Sequence, residues 1–244
     1  MRPLPNVRKL FLPDPGHVIC DVDLSGADAQ VVAWEANDND LKDAFRAGLD
    51  VHKKNGQDLW GSAYNDDTMR WQAKGVHAIN YATSANTLAK AFGMTRNAAQ
   101  AWIDSWFRLH PGIRDWHRRT ERDLQTSRCV RNKFGYRIVY FDRPDNLLPK
   151  GLAWIPQSTV AVVCGRGAVQ LSKTLPWITV LLQVHDSIVF QVPYHRATTS
   201  SFADIRRSLE IPIPYSDPLL IPWGLAISDR SWGEVSKTKW EEVG

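Results

Sequence analysis

Two aspartates follow short apolar runs that lie far apart in the sequence. Asp23 closes the run 17–23 (HVICDVD), and Asp186 lies in the short turn of the run 181–192 (LLQVHDSIVFQV). Carboxylate oxygens are ligands that Mg²⁺ prefers, and a pair of such ions supports transfer of a phosphoryl-type group. The two aspartates therefore predict a two-metal site, although Asp21 shares a strand face with Asp23 and aspartate is also a common turn residue.

A helical pattern between these aspartates carries four side chains suited to a nucleotide. They recur at spacings of four, three and four residues, within a stripe of roughly 60° on one face of a helix predicted over 70–81. They are Arg70, Lys74, His77 and Tyr81. Cationic side chains bind phosphate oxygens, and aromatic rings stack on a base. The stripe therefore predicts a triphosphate site, with an ordinary polar helix face as the alternative.

The elements around these residues predict an α+β fold, in which a small antiparallel sheet is interrupted by a large helical insertion. Alternation indicates a strand over 17–23, and helical spacing dominates 66–127. The other segments are predicted as a hairpin over 128–142, a loop over 142–151, a helix over 153–173, a hairpin over 181–192, a helix near 197–209, a last strand over 224–228 and a surface tail over 229–244. Gly165 and Gly167 predict close packing of the helix that contains them.

The 244-residue chain carries a formal net charge of +4, and that charge is unevenly placed. Residues 108–137 contain nine arginines or lysines against three acidic residues. This local excess is larger than that of the whole chain, so a positive field is concentrated where a phosphate backbone could lie. A solvated helix face is the alternative interpretation.

Cysteine usage and hydropathy indicate the compartment. Cys20, Cys129 and Cys164 match no metal or redox spacing. Cys20 and Cys164 lie in apolar runs, which predicts buried reduced thiols in a cytoplasmic protein. No apolar run approaches the ~18 residues of a membrane span, and the start of the sequence lacks the pattern of a signal peptide. We therefore expect no membrane partner.

Three segments, taken in order, resemble the signature motifs of family A (polymerase I-like) DNA polymerases. DLSGADAQ resembles the first motif, and this resemblance makes Asp23 rather than Asp21 the metal ligand. The run from Arg70 to Tyr81 resembles the nucleotide-binding helix of the fingers. QVHDSIVFQV resembles the third motif, the hairpin that carries the second metal-binding aspartate.

The third motif and two supporting matches imply further roles. The resemblance gives Asp186 as the second ligand of two Mg²⁺ ions, the Leu24 carbonyl as a further ligand, and His185 as a neighbour of the primer end. GLDVH resembles a segment whose histidine approaches the triphosphate, here His52. IPQSTVAVV resembles a helix whose glutamine touches the minor groove, here Gln157.

The resemblance extends from about Val7 to Trp232 and implies DNA-directed DNA synthesis from dNTPs on primer–template DNA. It makes Lys74 the group that protonates the leaving pyrophosphate. The side chains expected to follow template phosphates in the basic segment include Arg118, Arg119, Arg131 and Lys133. The implied domains are a first palm part at 1–35, fingers at 36–152, and a second palm part with the third-motif hairpin at 153–244.

The sequence departs from the family pattern at four places. Asp28 stands where the family has a glutamate that excludes ribonucleotides by crowding the 2′-hydroxyl, so we expect weaker sugar discrimination. Ser187 replaces an auxiliary carboxylate, and Ala82 replaces the glycine after the tyrosine. The fingers helix is one residue shorter before the tyrosine, so either His77 or Tyr81 takes the base-stacking place.

The largest departure is length, because the thumb, the primer-binding segment and the proofreading exonuclease of the family have no counterpart in this sequence. We expect a piece of a longer, phage-type polymerase working in the host cytoplasm, or half of a split enzyme whose thumb and exonuclease lie on a separate chain. Three other interpretations stay open. They are a catalytically silent DNA-binding module, a single-subunit RNA polymerase (which usually has a small glycine at the Asp28 position) and a two-metal nuclease (which would not need the Arg70–Lys74 stripe).

Overall fold

The computed structural model of this chain describes residues 5–141 and 147–243, and the chain divides into two compact units. The first unit comprises Met1–Ala27 and Val160–Gly244, and the second comprises Asp28–Thr159. Within the described ranges, no helix is both long enough and apolar enough to cross a membrane.

The described residues form seven strands: β1 (His17–Leu24), β2 (Cys129–Arg131), β3 (Arg137–Val139), β4 (Thr179–Val184), β5 (Ser187–Pro193), β6 (Trp223–Ser228) and β7 (Ser236–Thr238). Five of them make an antiparallel sheet in the order β4-β5-β1-β6-β7, and β2 pairs with β3. Both predicted hairpins are therefore present, except that Asp142 lies outside the described residues. The predicted α+β fold with a small antiparallel sheet is confirmed.

The described residues form ten α-helices, which are distributed over both units. They are α1 (Ala27–Glu35), α2 (Asn39–Arg46), α3 (Val51–Trp60), α4 (Asp66–Lys74), α5 (Val76–Asn80), α6 (Ala85–Phe92), α7 (Arg96–Leu109), α8 (Pro111–Ser127), α9 (Leu147–Thr174) and α10 (Thr199–Ser208). Side-chain N-caps begin six of them: Asp38, Asp50, Asn65, Ser84, Thr95 and Thr198. Each cap accepts a hydrogen bond from an N–H group that has no partner inside the helix.

Strand β1 lies between β5 and β6, and its apolar residues bury both of its faces. Ile19, Cys20 and Val22 have no exposed surface, and Cys20 is a free thiol as predicted. A one-residue slip would move every β1 side chain to the opposite face, so this burial fixes the register. The register in turn fixes where the strand ends.

Helix α9 packs closely on the sheet at one of its two predicted glycines. A Cβ added at Gly167 would lie 3.2 Å from side-chain atoms of Ile188 and Leu209, so glycine lets the helix approach β5. Gly165 has nothing within 4 Å of such a Cβ, so the prediction of close packing holds only at Gly167.

Two segments predicted as irregular contain regular structure. The predicted loop 142–151 is wrong from Leu147 onward, because α9 begins there; residues 142–146 lie outside the described residues. The predicted surface tail 229–244 contributes β7 to the sheet and buries Trp232, which is 6% exposed. Phe11 packs edge-on against this indole at 5.7 Å and Arg8 lies over it at 4.4 Å, so the tail is held by an aromatic anchor.

The predicted single helix over 70–81 is two helices, α4 and α5, joined at Gly75. The Gly75 N–H bonds to the Gln72 carbonyl (2.7 Å), three residues back rather than four. A Cβ at Gly75 would lie 2.5 Å from the Trp102 ring and 2.7 Å from the Phe92 ring. The two rings therefore occupy the space that a side chain at this joint would need.

The second unit also buries a histidine of α8. His117 is 8% exposed, and its Nε2 donates to the Asn80 carbonyl (2.8 Å). Burial lowers the pKa of His117 to about 4; the hydrogen bond to Asn80 opposes that shift and the Arg114 charge adds to it. The imidazole is therefore neutral in the folded protein at neutral pH.

We predict that His117 makes the protein acid-sensitive. Its folded pKa of about 4 lies below the unfolded value, so the unfolded state takes up the proton first as the pH falls. The contribution of His117 to the free energy of unfolding is fully present above about pH 6.5. About 3 kcal/mol of it is lost as the pH falls from there to about 4. Urea unfolding across this range should show a flatter profile for His117→Gln. Parallel profiles for the two proteins would contradict the assignment.

Candidate metal and nucleotide site

The two predicted metal-ligand aspartates lie at the same end of adjacent strands. Asp23 on β1 is the cross-strand partner of Ser187, which begins β5 directly after Asp186. The Leu24 N–H donates to the Asp186 carbonyl (3.1 Å), which ties the turn to the end of β1. Both carboxylates are exposed. His185 completes the turn in the left-handed conformation (φ 54°) and is exposed as well.

The structure separates Asp23 from its rival Asp21. One Asp21 oxygen accepts a hydrogen bond from the Ser187 hydroxyl (2.9 Å), and the other accepts one from Trp232 Nε1 (2.6 Å). Within the part of the chain that the structure describes, no hydrogen bond joins the Asp23 carboxylate to another residue. Asp21 therefore serves the fold, and Asp23 is available to a ligand.

The electrostatics of Asp23 favour a bound cation. Burial raises the pKa of Asp23, and the charges of Asp21 and Asp186 raise it further, whereas the charge of Lys237 lowers it. Neighbouring carboxylates that repel one another are stabilised by a cation placed between them. Sequence analysis did not identify Lys237, since only the register of β7 brings it to this face.

The residue opposite Asp23 on the other neighbouring strand is Gly224. A Cβ added at Gly224 would lie 2.7 Å from Asp23 Oδ1, closer than real contacts allow. Glycine here gives the Asp23 carboxylate the space that it occupies.

The second unit holds the predicted phosphate-binding side chains. The Arg70 guanidinium forms ion pairs with two carboxylates, those of Asp50 (2.6 Å) and Asp66 (3.1 Å). Sequence analysis missed both partners, although Asp66 precedes Arg70 by four residues, a spacing that places them on one helix face. The guanidinium is thus held in one orientation before any phosphate arrives.

His52, the predicted neighbour of the triphosphate, lies in a positively charged group of side chains. Burial lowers the pKa of His52, and the charges of Lys74, Arg70 and His77 lower it further against an opposing effect of Asp50. Its Nδ1 is buried and has no hydrogen-bond partner among the residues that the structure describes. Lys74 is exposed. These residues come from α3, α4 and α5, so the structure brings the predicted cationic residues together.

Asp28, His77 and Tyr81 form a second group. The Tyr81 hydroxyl donates to the Asp28 carboxylate (2.9 Å), and the His77 ring stacks on the Tyr81 ring at 5.7 Å. Burial raises the pKa of Tyr81, and Asp28 raises it further, so the phenol keeps its proton. Burial lowers the pKa of His77 against the charge of Asp28.

Some of the predicted DNA-contact residues form hydrogen bonds or ion pairs within the protein, and others are exposed. Arg119 donates to the Glu35 carbonyl at the end of α1 (2.7 Å), and Arg118 pairs with Asp115 (3.2 Å). Arg131 is exposed and directly opposite Arg137 in the hairpin. Lys133 and Gln157 are exposed as well.

A second cluster of side chains that could bind a metal has a structural role instead. Among the described residues, Asp38, Asp40 and His110 bring ligand atoms within 4.8 Å of one another. Asp38 caps α2 at Leu41 and accepts from His110 Nδ1 (2.9 Å), and Lys54 binds Asp40 (2.5 Å). The lysine ammonium already supplies the positive charge there.

Comparison with known proteins decides the family. The family model described as DNA polymerase family A matches residues 3–216. The chain belongs to DNA polymerase family A. The resemblance carried by the three sequence motifs is therefore confirmed.

Two relatives place this polymerase-family chain among longer proteins. The thermostable DNA polymerase I of Thermus filiformis is 29% identical over 243 residues, which are 95% of this chain and 29% of that protein. The DNA polymerase of Mycobacterium phage D29 is 27% identical over 233 residues, which are 94% of this chain and 37% of that protein. The chain thus spans about a third of the length of these curated relatives.

A solved structure supports the fold of this family A chain. It is the POL domain of Pol1 from M. smegmatis, in complex with DNA primer-template and dNTP. The TM-score is 0.82 at 19% identity, over 94% of this chain and 42% of that chain. At this identity the likeness establishes the fold alone, and it does not establish the roles of individual residues.

We predict that Gly224→Ala weakens divalent-cation binding at Asp23 by about tenfold or more, because the new methyl displaces Oδ1. The measurement is a Mn²⁺ titration followed by electron paramagnetic resonance. Gly165→Ala is the matched control, since its Cβ has nothing within 4 Å. Equal Mn²⁺ affinities for the two alanine variants would contradict the prediction.

Proposed function

We propose that this family A chain carries out template-directed DNA synthesis, transferring a nucleotide from a dNTP to the 3′-hydroxyl of a DNA primer. The observation that carries the proposal is the placement of two exposed carboxylates, Asp23 and Asp186, at one end of adjacent strands while Asp21 is hydrogen-bonded within the fold. Nucleotidyl transfer needs charge neutralisation and positioning above all, and this arrangement suits both.

The donor set fits two Mg²⁺ ions. Asp23 and Asp186 would hold them with the Leu24 carbonyl, and hard oxygen donors of this kind leave Mg²⁺ its remaining waters. Bound there, such ions would supply charge neutralisation at the triphosphate and activation of the primer hydroxyl. The raised pKa of Asp23, caused by burial and then by neighbouring acids, supports a position where a cation is favoured.

The triphosphate would lie against the cationic residues of α3, α4 and α5. Arg70 and His52 bind phosphate oxygens in this proposal. The ion pairs with Asp50 and Asp66 keep the Arg70 guanidinium oriented. Lys74 Nζ is the group that gives a proton to the pyrophosphate oxygen as it leaves. Its exposure supports this role, because a flexible ammonium can follow the departing charge.

The sugar and base of the dNTP would meet the group of Asp28, Tyr81 and His77. Tyr81 holds the Asp28 carboxylate by a hydrogen bond, so Asp28 takes the place that faces the 2′ position. His77 stacks on Tyr81, and we assign to His77 the surface that stacks on the base.

Primer–template DNA would be held mainly by residues that the fold leaves exposed. Arg131 opposes Arg137, a like-charge pair that is unfavourable in a hairpin unless an anion binds it. Arg131, Lys133 and Arg118 would therefore contact template phosphates. Gln157 and His185 would contact the minor groove and the primer end. Arg119 could contact a phosphate with its remaining donors, since its bond to the Glu35 carbonyl uses Nη2.

A catalytically silent DNA-binding module is the second candidate, because the exposed pair of Arg131 and Arg137 could bind phosphates without any metal chemistry. A separate chain with a thumb and an exonuclease would then complete a split enzyme. In either case we place the protein in the cytoplasm, that of the host if the gene is a phage gene, consistent with three free cysteines.

Primer extension with dNTPs and Mg²⁺ at low salt tests the proposal. We predict extension by the wild type and a loss of about a hundredfold or more in Asp186→Ala, because each tenfold in rate corresponds to about 1.4 kcal/mol and a metal ligand contributes several. Asp204→Ala is the control, since Asp204 is an exposed acid that, among the described residues, pairs with Arg207 on α10.

The outcomes separate the two candidates. Salt-sensitive DNA binding without any extension would support the silent module. Equal extension by wild type and Asp186→Ala would contradict the placement of the metal site.

A second prediction concerns the sugar of the incoming nucleotide. Asp28 is one methylene shorter than glutamate, and a single methylene in a pocket corresponds to about tenfold or more in discrimination. We therefore expect Asp28→Glu to raise the preference for dNTPs over rNTPs by about that factor in single-nucleotide insertion. Asp28→Asn, which keeps the size, should stay near wild type. Equal rejection of rNTPs by wild type and Asp28→Glu would contradict the role.

A further inference from the structure

Lys237 lies in the same row of the sheet as the carboxylate cluster. Asp21 on β1 is the cross-strand partner of Ala226 on β6, and Ala226 is the partner of Lys237 on β7. Residues opposite one another in an antiparallel pair share a face of the sheet. Asp23, two residues after Asp21, lies on that same face.

The path between Lys237 and the carboxylates contains only small side chains on β6. Ala226 lies beside Asp21, and Gly224 lies beside Asp23. Strands are about 4.8 Å apart, so Lys237 starts two strands from β1, roughly 10 Å away. A lysine stem can lean over an alanine and a glycine, whereas a bulky residue at either position would block it.

The charges support this geometry. The Lys237 ammonium carries a positive charge in this row, and the carboxylates of Asp21 and Asp23 carry negative charges on the same face of the sheet. Lys237 is exposed, and within the described residues no hydrogen bond or ion pair engages it. Ser187 adds a hydroxyl to the cluster rather than a further negative charge. The cluster thus combines three carboxylates with one internal cation.

We propose that Lys237 is a positioning residue of the metal site, which sets the divalent-cation affinity of the Asp23–Asp186 pair by supplying a competing positive charge. The inference rests on the proposed function of that pair. Like charges repel at this range, so a cation entering beside Asp23 binds more weakly while the ammonium is present. The site would then fill mainly when the triphosphate brings further negative charge.

The alternative is that Lys237 only protects the sheet edge. Strand β7 is terminal in the sheet order, and edge lysines discourage pairing with another chain. That role predicts no effect of Lys237 on metal binding.

The test is a Mn²⁺ titration of the full chain at low ionic strength, followed by electron paramagnetic resonance. We expect Lys237→Ala to tighten the Mn²⁺ Kd about three- to tenfold, Lys237→Glu to tighten it further, and Lys237→Arg to keep the wild-type value. Lys239→Ala is the matched control, because this nearby exposed lysine pairs with Glu242 (2.7 Å). The differences should shrink in about 1 M salt, where charges are screened within about 3 Å.

Asp186→Ala separates the two levels of the proposal. If it abolishes Mn²⁺ binding while the Lys237 variants all bind like wild type, the role of Lys237 is overturned and the metal site stands. If Mn²⁺ binding does not depend on Asp186, both are overturned. A tightening that follows charge from Arg to Ala to Glu supports the inference, since a structural defect would not follow charge.

Discussion

Strand β1 is hydrogen-bonded to β5 on one side and to β6 on the other, and the placement of the carboxylates in the sheet unit depends on this double pairing. The β5 pairing brings Asp186 beside the end of β1, and the β6 pairing sets Gly224 beside Asp23. A one-residue slip of β1 would exchange the faces of the buried Ile19 and Val22, and it would take Asp23 away from Ser187 and Gly224. The apolar residues of the strand thus position its only exposed carboxylate.

The helical unit positions its site by buried polar bonds rather than by a register. Asn80 accepts a hydrogen bond from Trp106 Nε1 at its side chain (2.8 Å) and one from His117 at its carbonyl (2.8 Å). Two helices therefore hold the residue that immediately precedes Tyr81. Buried hydrogen bonds of this kind are costly to leave unmade, so they fix the backbone there and with it the bond from Tyr81 to Asp28.

Much of the fold and the motif register could be predicted from the sequence, because alternation and helical spacing are local signals. The strand ending in Asp23 and the turn carrying Asp186 follow from such signals. The break at Gly75 could not be predicted, since it depends on rings that the tertiary fold brings to that point. The strand β7 was missed for a similar reason, because three residues carry no periodicity and the buried Trp232 anchors them.

The partner that each side chain has in the fold, rather than its residue type, separates candidate site residues from residues that serve the fold. Asp21 and Asp23 share a face, yet Asp21 has both oxygens bonded and only Asp23 stays available. The same bonds explain why a serine is suitable at 187. A carboxylate there would lie beside Asp21 and repel it, whereas the Ser187 hydroxyl donates to it. The missing acidic charge and the structural role of Asp21 are therefore two consequences of one hydrogen bond.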